Sequence, residues 1–170
     1  MVEKQEAVTA QWAQVENAYQ RRADLIPNLV STVKGYAAHE REALIGVVEA
    51  RSKATAVNVD ASKLDASSMQ KFQAAQDGLS SALSKLMVVV ERYPDLKANQ
   101  NFLELQSQLE GTENRIAVER RRYNEAARVY NTYIRKWPNN MIRAMFADEF
   151  PKVDYFEADK GADEVPKVEF

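Results

Sequence analysis

The amino-acid sequence predicts an all-α protein: an antiparallel bundle of three long helices, with a short fourth helix and an extended C-terminal tail. Apolar residues recur at alternating three- and four-residue steps over most of the chain, and this spacing keeps side chains on one face of a helix. Gly and Pro number five each among 170 residues, which is too few for a turn-rich β-sandwich. We therefore predict one helical domain over residues 1–150 and a tail over residues 151–170.

The first helix is predicted to run from Val2 to Val57, because its apolar seam continues almost without a break. An unbroken helix of that length would measure about 80 Å, so residues 1–24 are predicted to overhang the bundle or to form a stalk. The seam is interrupted by charges at Arg22 and Glu40, which are costly to bury unless they are paired. Its apolar members are Val8, Trp12, Val15, Tyr19, Ile26, Leu29, Val33, Tyr36, Ala43, Val47, Ala50 and Ala54.

Pro27 lies inside this first helix. Proline lacks a backbone N–H group and clashes with the preceding turn, which predicts a kink or short break near Asp24–Pro27. Asp24 and Asn28 are the local side chains expected to bond the backbone groups that the proline frees.

Two further long helices follow, over residues 60–93 and 99–136, and a short helix is predicted over residues 140–147. Pro94 ends the second helix, and Pro138 ends the third. The apolar seam of the second helix has one polar position, Gln76, and that of the third has two, Thr112 and Glu119. The tail carries several apolar side chains, so it is expected to lie against the bundle as extended chain.

Laying the three helices side by side places the polar positions of their seams at about one height. The candidate layer comprises Glu40, Gln76 and either Thr112 or Glu113, with His39 and Arg120 at its margin. Two interpretations remain open. A polar layer can fix the register of packed helices, or its carboxylates can bind a small molecule or metal and do acid–base chemistry. The register interpretation is favoured, because His39 and Glu40 are adjacent and face about 100° apart on a helix.

A second candidate surface is basic. Between residues 113 and 136 there are seven basic and three acidic residues, whereas the tail from residue 151 has six acidic and three basic residues. A solvated face, or the tail docking on this face, is the simpler interpretation, and an anionic partner or lipid headgroup is the functional one. The stripe consists of Arg115, Arg121, Arg122, Arg128 and Arg135.

The composition disfavours several classes of function. The net charge is −2, which implies no general attraction to nucleic acid or to an anionic membrane. Cysteine is absent, so thiolate metal sites and cysteine nucleophiles are excluded. A single histidine, no glycine-rich phosphate loop and no catalytic constellation lead us to expect no enzyme activity, no metal and no cofactor.

Several runs of the sequence are specific enough to compare with known families. They are residues 20–30 (QRRADLIPNLV), 33–40 (VKGYAAHE), 93–99 (YPDLKAN) and 109–116 (LEGTENRI), together with Tyr130-Asn131, Trp137-Pro138, Tyr155-Phe156 and residues 166–170. In these runs the sequence resembles the bacterial LemA family. The resemblance implies a helical bundle of about four helices, preceded by a membrane-spanning helix that this sequence does not include. It implies no catalytic residues.

These observations lead to one functional hypothesis and one alternative. The hypothesis is a single-pass, membrane-tethered helical module of the bacterial envelope with an interaction or structural role, a protein partner and an extracytoplasmic location. Self-association through the overhanging part of the first helix, at Val8, Trp12, Val15 and Tyr19, is a further expectation. The alternative is a metal-binding or small-molecule-binding bundle, possibly an enzyme, that uses the layer of Glu40, Gln76 and Glu113.

Overall fold

The structure is a computed structural model, and it describes residues 1–157. Within that range it contains six helices: α1 (Val2–Tyr36), α2 (Arg41–Ala56), α3 (Ala66–Val90), α4 (Pro94–Lys97), α5 (Gln100–Arg135) and α6 (Asn139–Met145). The all-α prediction is confirmed. The part of the predicted tail after residue 157 lies outside the described residues.

The first predicted helix is two helices, so its predicted end at Val57 is wrong. The chain leaves α1 at Ala37, whose φ of −126° and ψ of 47° are not helical. After a turn closed by the hydrogen bond from Glu40 N–H to Ala37 O (3.0 Å), α2 folds back along α1. The bundle therefore has four long helices, α1, α2, α3 and α5, each antiparallel to the one before it in the chain.

Pro27 does not break α1, and the predicted break at Asp24–Pro27 is wrong. A residue at position 27 would normally donate its N–H to the carbonyl of Ala23, which proline cannot do. Arg51 of α2 supplies the donor instead, because its Nε lies 2.8 Å from Ala23 O. The predicted local partners serve other bonds: Asp24 accepts from Gln20 Nε2 (2.7 Å), and the carbonyl of Asn28 accepts from Thr32.

We expect Arg51→Ala to lower the free energy of unfolding by about 1–2 kcal/mol, because the Ala23 carbonyl loses its partner. The same substitution should cost much less in a Pro27→Ala background, where the helix supplies its own hydrogen bond to Ala23 O. Urea unfolding of the four variants measures this difference. Equal costs in the two backgrounds would show that Arg51 does not compensate for the proline.

Residues 1–24 do not overhang the bundle, contrary to the prediction. The side chains of Val8, Trp12 and Val15 are each at most 1% exposed. They are covered by α5, by the start of α3 and by residues 151–157, which lie as extended chain. The sequence pattern suggested an overhang because α1 was taken as continuous to residue 57; the turn at residues 37–40 shortens it to the length of α5.

Two apolar clusters make up the core. The first surrounds Trp12, Phe72 and Tyr123 near the beginning of α1, and the second surrounds Leu29 and Leu79 near its end. Along each of α1, α3 and α5, the boundary between the clusters falls at a polar position. That boundary is the candidate site.

Candidate functional site

The boundary between the two clusters is built around the buried side chain of Arg22. Its Nη1 donates to Glu113 Oε1 (2.7 Å) and to Ser80 Oγ (2.8 Å). Its Nη2 donates to Gln76 Oε1 (2.8 Å) and to the Gln76 carbonyl (3.1 Å). One guanidinium group on α1 thus joins α3 and α5. We call Arg22, Gln76, Ser80 and Glu113 the Arg22 layer.

The Arg22 layer extends to α2 through Gln76, whose Nε2 donates to the carbonyl of Ala54 (3.3 Å). Arginine suits this position because its planar group presents several N–H donors in fixed directions, which a lysine does not. The Arg22 Nε–H group has no partner among residues 1–157, so the layer does not recover the whole cost of burying the charge.

The electrostatics of the layer involve one carboxylate that remains in contact with solvent. The side chain of Glu113 is 47% exposed, whereas that of Arg22 is 2% exposed. The Arg22 guanidinium also lies 5.2 Å from the ring centroid of Tyr19. Burial raises the pKa of the Tyr19 hydroxyl above its ordinary value, and the charges of Arg120 and Arg22 oppose part of that rise.

The structure brings together some residues of the predicted layer and separates others. Gln76 and Glu113 are joined because both accept hydrogen bonds from Arg22. The sequence pattern marked Arg22 as a charged seam position but did not predict it as the centre of the layer. Glu40 is elsewhere: it accepts from Tyr93 OH (2.9 Å) and pairs with Arg92 (3.1 Å). Its predicted position in the layer was wrong, because the turn at residues 37–40 places Glu40 between the end of α1 and the start of α2.

The marginal members of the predicted layer also lie apart from it. His39 is exposed in the same turn as Glu40. Thr112 is buried, and its hydroxyl donates to the Gln108 carbonyl within α5 (2.8 Å). Arg120 lies over the ring of Phe156 and donates to the carbonyl of Glu157 (2.8 Å).

The alternative hypothesis required a cavity at the predicted layer. A groove of about 290 Å³ between α1, α2 and α3 reaches Gln76, but neither Glu40 nor Glu113 lines it. Within residues 1–157, no group of three or more His, Cys, Asp or Glu side chains is arranged to hold a metal ion.

The predicted basic stripe is largely paired with carboxylates of α5 itself. Arg122 Nη1 lies 3.2 Å from Glu119 Oε1, and Arg115 Nε lies 3.8 Å from the same oxygen. Arg128 donates two hydrogen bonds to the carboxylate of Glu125. These bonds lower the pKa of the Glu125 carboxyl below its ordinary value.

Two further members of the stripe differ in their contacts. Arg135 donates to the carbonyl of Asn131 (3.0 Å), and Arg121 is exposed. Glu119 is only 3% exposed and also accepts from Gln11 Nε2 (2.7 Å), so it connects α1 to α5 beside the stripe.

Two asparagine side chains of α5 that the sequence analysis did not single out hold the extended segment 151–157. Asn131 donates to the carbonyl of Val153 (2.7 Å) and accepts from its N–H (3.2 Å). Asn124 makes the same pair of bonds to Phe156, at 3.0 Å and 2.9 Å. The two asparagines are seven residues apart, so they lie on one face of α5; that spacing was the available signal.

Asn131→Ala is expected to lower the free energy of unfolding by about 2 kcal/mol, because it leaves buried backbone groups of Val153 unpaired. Hydrogen exchange should accelerate at residues 153–156 more than in the middle of α5. Asn114→Ala is the matched control on the exposed face of the same helix, and it should change neither quantity. Unchanged exchange in the Asn131 variant would show that this side chain does not hold the segment.

Sequence comparison relates the chain to known proteins. The LemA family model matches residues 11–170. Magnetosome protein MamQ 2 of Paramagnetospirillum magneticum is 37% identical over 94 residues, which are 55% of this chain and 34% of that protein. MamQ of Magnetospirillum gryphiswaldense is 35% identical over 94 residues, with the same shares.

A relative outside the MamQ proteins covers more of the chain. Protein LemA of Metamycoplasma hominis is 27% identical over 128 residues, which are 75% of this chain and 55% of that protein. The matched part of this chain thus spans about a third of the MamQ proteins and about half of the mycoplasma protein.

The fold and the Arg22 layer define a class of protein: an antiparallel α-helical bundle whose helices are joined by a buried arginine and whose last described segment packs along α5. The family match covers nearly all of the chain. The protein belongs to the LemA family.

Proposed function

We propose that this chain is the helical body of a membrane-tethered protein of the bacterial envelope and that it works as an interaction or structural module. The observation that carries the proposal is the family match over residues 11–170. The resemblance to the LemA family implies a membrane-spanning helix ahead of the bundle, and on that basis we place a single tether ahead of α1. We also propose that the bundle lies on the extracytoplasmic side. Among the helices within residues 1–157, none is both long enough and apolar enough to cross a bilayer.

The buried polar groups support an interaction or structural role over catalysis. Each of three buried polar groups bonds another part of the chain. The Nη groups of Arg22 bond α3, the amide of Gln76 bonds α2, and the amide of Asn131 bonds segment 151–157. Their hydrogen-bonding capacity is thus engaged in holding the bundle together. Three of the relatives are named as magnetosome proteins, that is, for a cellular structure and not for a reaction.

We also propose that a protein partner in the envelope binds the bundle. Self-association through α1 stays a prediction, but it loses the support of an exposed seam, because Val8, Trp12, Val15 and Tyr19 are at most 5% exposed. Cross-linking in intact cells, followed by purification under denaturing conditions, should recover one reproducible partner. Recovery of the protein without a partner would count against an interaction role and leave a structural one.

Fractionation of cells that express the natural gene product with a C-terminal tag tests the tether. We expect the protein to be in the membrane fraction and to resist extraction by alkaline carbonate. This treatment releases peripheral proteins and leaves proteins with a spanning helix in the membrane. The 170-residue chain expressed alone is the matched control and should be extracted. Protease added to spheroplasts should degrade the tagged bundle. Complete extraction of the natural product would contradict a spanning tether, and protection from protease would contradict the extracytoplasmic location.

A further inference from the structure

The surface around α6 exposes a cluster of large apolar side chains that the preceding sections leave unexplained. Fourteen large hydrophobic side chains are exposed among the described residues, and five of them fall between residues 137 and 146. Scattered apolar side chains are ordinary on a protein surface, but a contiguous cluster normally marks a contact surface. The cluster, which we call the α6 patch, consists of Trp137 (78% exposed), Met141 (61%), Ile142 (45%), Met145 (78%) and Phe146 (46%).

The charged residues within segment 133–146, which carries the α6 patch, are all basic, and the nearest acidic residues that follow it are Asp148 and Glu149. The three basic residues are Arg135, Lys136 and Arg143. None of the three has an ion pair among the described residues, and Arg143 bonds through Nε to the carbonyl of Phe150 (3.1 Å). Apolar and aromatic side chains interspersed with basic ones are typical of segments that lie in the headgroup region of a membrane.

The α6 patch also lies at the end of the bundle where a tether would enter. α6 follows the end of α5, which is antiparallel to α1, and the next loop contacts the first turns of α1: Gln5 Nε2 donates to the carbonyl of Glu149 (3.0 Å). The exposed valine of α3, Val88, is at the opposite end, since α3 starts beside segment 151–157 and runs parallel to α1.

We propose that the α6 patch inserts into the surface of an anionic lipid bilayer. Trp137, Met141 and Met145 enter the boundary between headgroups and acyl chains, while Arg135, Lys136 and Arg143 contact lipid phosphates. The placement beside the tether rests on the proposed function; the binding itself does not, because the α6 patch belongs to the described bundle. An anionic bilayer is favoured over a second copy of the chain because the basic groups around the α6 patch would face each other across a symmetric dimer.

Tryptophan fluorescence of the 170-residue chain tests the insertion. The protein has two tryptophans; Trp12 is fully buried and Trp137 is 78% exposed, so a change on adding vesicles reports Trp137. With vesicles of phosphatidylcholine containing roughly a third of phosphatidylglycerol, we expect a blue shift, protection from acrylamide, and quenching by lipids that carry a nitroxide near the headgroup. Vesicles of phosphatidylcholine alone should bind more weakly.

Paired variants identify the groups responsible. The double variant Met141→Ser/Met145→Ser should weaken vesicle binding by about tenfold or more, and Arg135→Glu/Lys136→Glu should weaken it in a salt-dependent manner. Val88→Ser replaces an apolar side chain that is 69% exposed at the opposite end, and it should bind as the wild type does. Circular dichroism and urea unfolding verify that each variant is folded.

Several outcomes would overturn the proposal. One is an unchanged Trp137 spectrum with anionic vesicles, and another is equal binding by the wild type and the serine double variant. A third is that the wild type does not bind vesicles but forms a lipid-free dimer, which the serine double variant abolishes. That result would assign the α6 patch to contact with a second copy of the chain. If the 170-residue chain does not bind vesicles but the natural product still resists carbonate extraction, only the proposed membrane insertion of the α6 patch is rejected. Vesicle binding together with carbonate extraction of the natural product would reject only the tether.

Discussion

Trp12→Ala should lower the free energy of unfolding by about 4 kcal/mol, the largest effect expected in this protein. Trp12 is fully buried, and its ring centroid lies 5.2 Å from that of Phe72 on α3 and 5.5 Å from that of Tyr123 on α5. It also stacks on Phe156 of the extended segment at 5.7 Å. Removing the indole therefore leaves a cavity where three parts of the chain meet.

Urea unfolding followed by circular dichroism measures this loss, and hydrogen exchange should show residues 153–156 released first. Trp137→Ala is the matched control, because it removes the same side chain from a position that is 78% exposed; it should change stability by less than about 0.5 kcal/mol. Similar losses for both tryptophans would contradict the burial of Trp12 between α3, α5 and the extended segment.

Arg22→Ala should have the second-largest effect, a loss of about 3 kcal/mol, because it creates a cavity and leaves Gln76 Oε1 without a donor. Glu113 contributes less to this cost, since it is half exposed and water can solvate its carboxylate once the arginine is gone. Arg22→Lys should cost about 2 kcal/mol, because a single ammonium group cannot reach Glu113, Ser80 and Gln76 in the directions that the guanidinium does.

Arg21→Ala is the matched control for Arg22→Ala. It removes the neighbouring arginine from the exposed side of α1, so it should change the free energy of unfolding by less than about 0.5 kcal/mol. A thermal unfolding series of the three variants separates the two positions. Comparable losses at both would contradict the assignment of the buried contacts to Arg22.

The apolar periodicity predicted most of the core, but not all of it: the seam residue Tyr36 is 46% exposed at the end of α1. Val8, Trp12, Leu79, Ile116 and Tyr123 are buried as their seams indicate, because a 3.6-residue repeat leaves no other way to cover such side chains. The polar seam positions Arg22, Gln76, Thr112 and Glu119 are buried too. Periodicity therefore predicted that polar groups would enter the core, but not which of them would meet.

Helix ends were the part that periodicity could not predict. The residues around the turn at 37–40 include no proline, and the seam continues with the same spacing on both sides of it. Conversely, Pro27 looked like a break, and it is accommodated because Arg51, 28 residues away, bonds the carbonyl that proline leaves free. The error at Pro27 arises from a tertiary contact, which overrides a local preference.

The candidate layer was misplaced because the end of α1 was not predicted. A turn at residues 37–40 instead of a continuous helix moves Glu40 to the end of the bundle, where it bonds Tyr93. Gln76 and Glu113 remained at one height because both lie well inside the predicted helices. α5 was predicted to within one residue at each end, whereas α3 begins six residues later than predicted and ends three earlier. The seven-residue spacing of Asn124 and Asn131 places both on one face of α5. Segment 151–157 has no periodicity of its own, so the sequence could not predict that this segment bonds them.

The central claim is that the Arg22 layer is a structural device that joins the helices. A double-mutant cycle with Arg22→Met and Gln76→Leu, measured by urea unfolding, tests it most directly. Arg22→Met leaves Gln76 Oε1 without its donor, and Gln76→Leu takes one of two acceptors from Arg22 Nη2. The double variant removes both partners of the bond between the two side chains. We predict a coupling free energy of at least about 1 kcal/mol, with the double variant more stable than the sum of the single losses. Losses that add to within about 0.5 kcal/mol would contradict the claim.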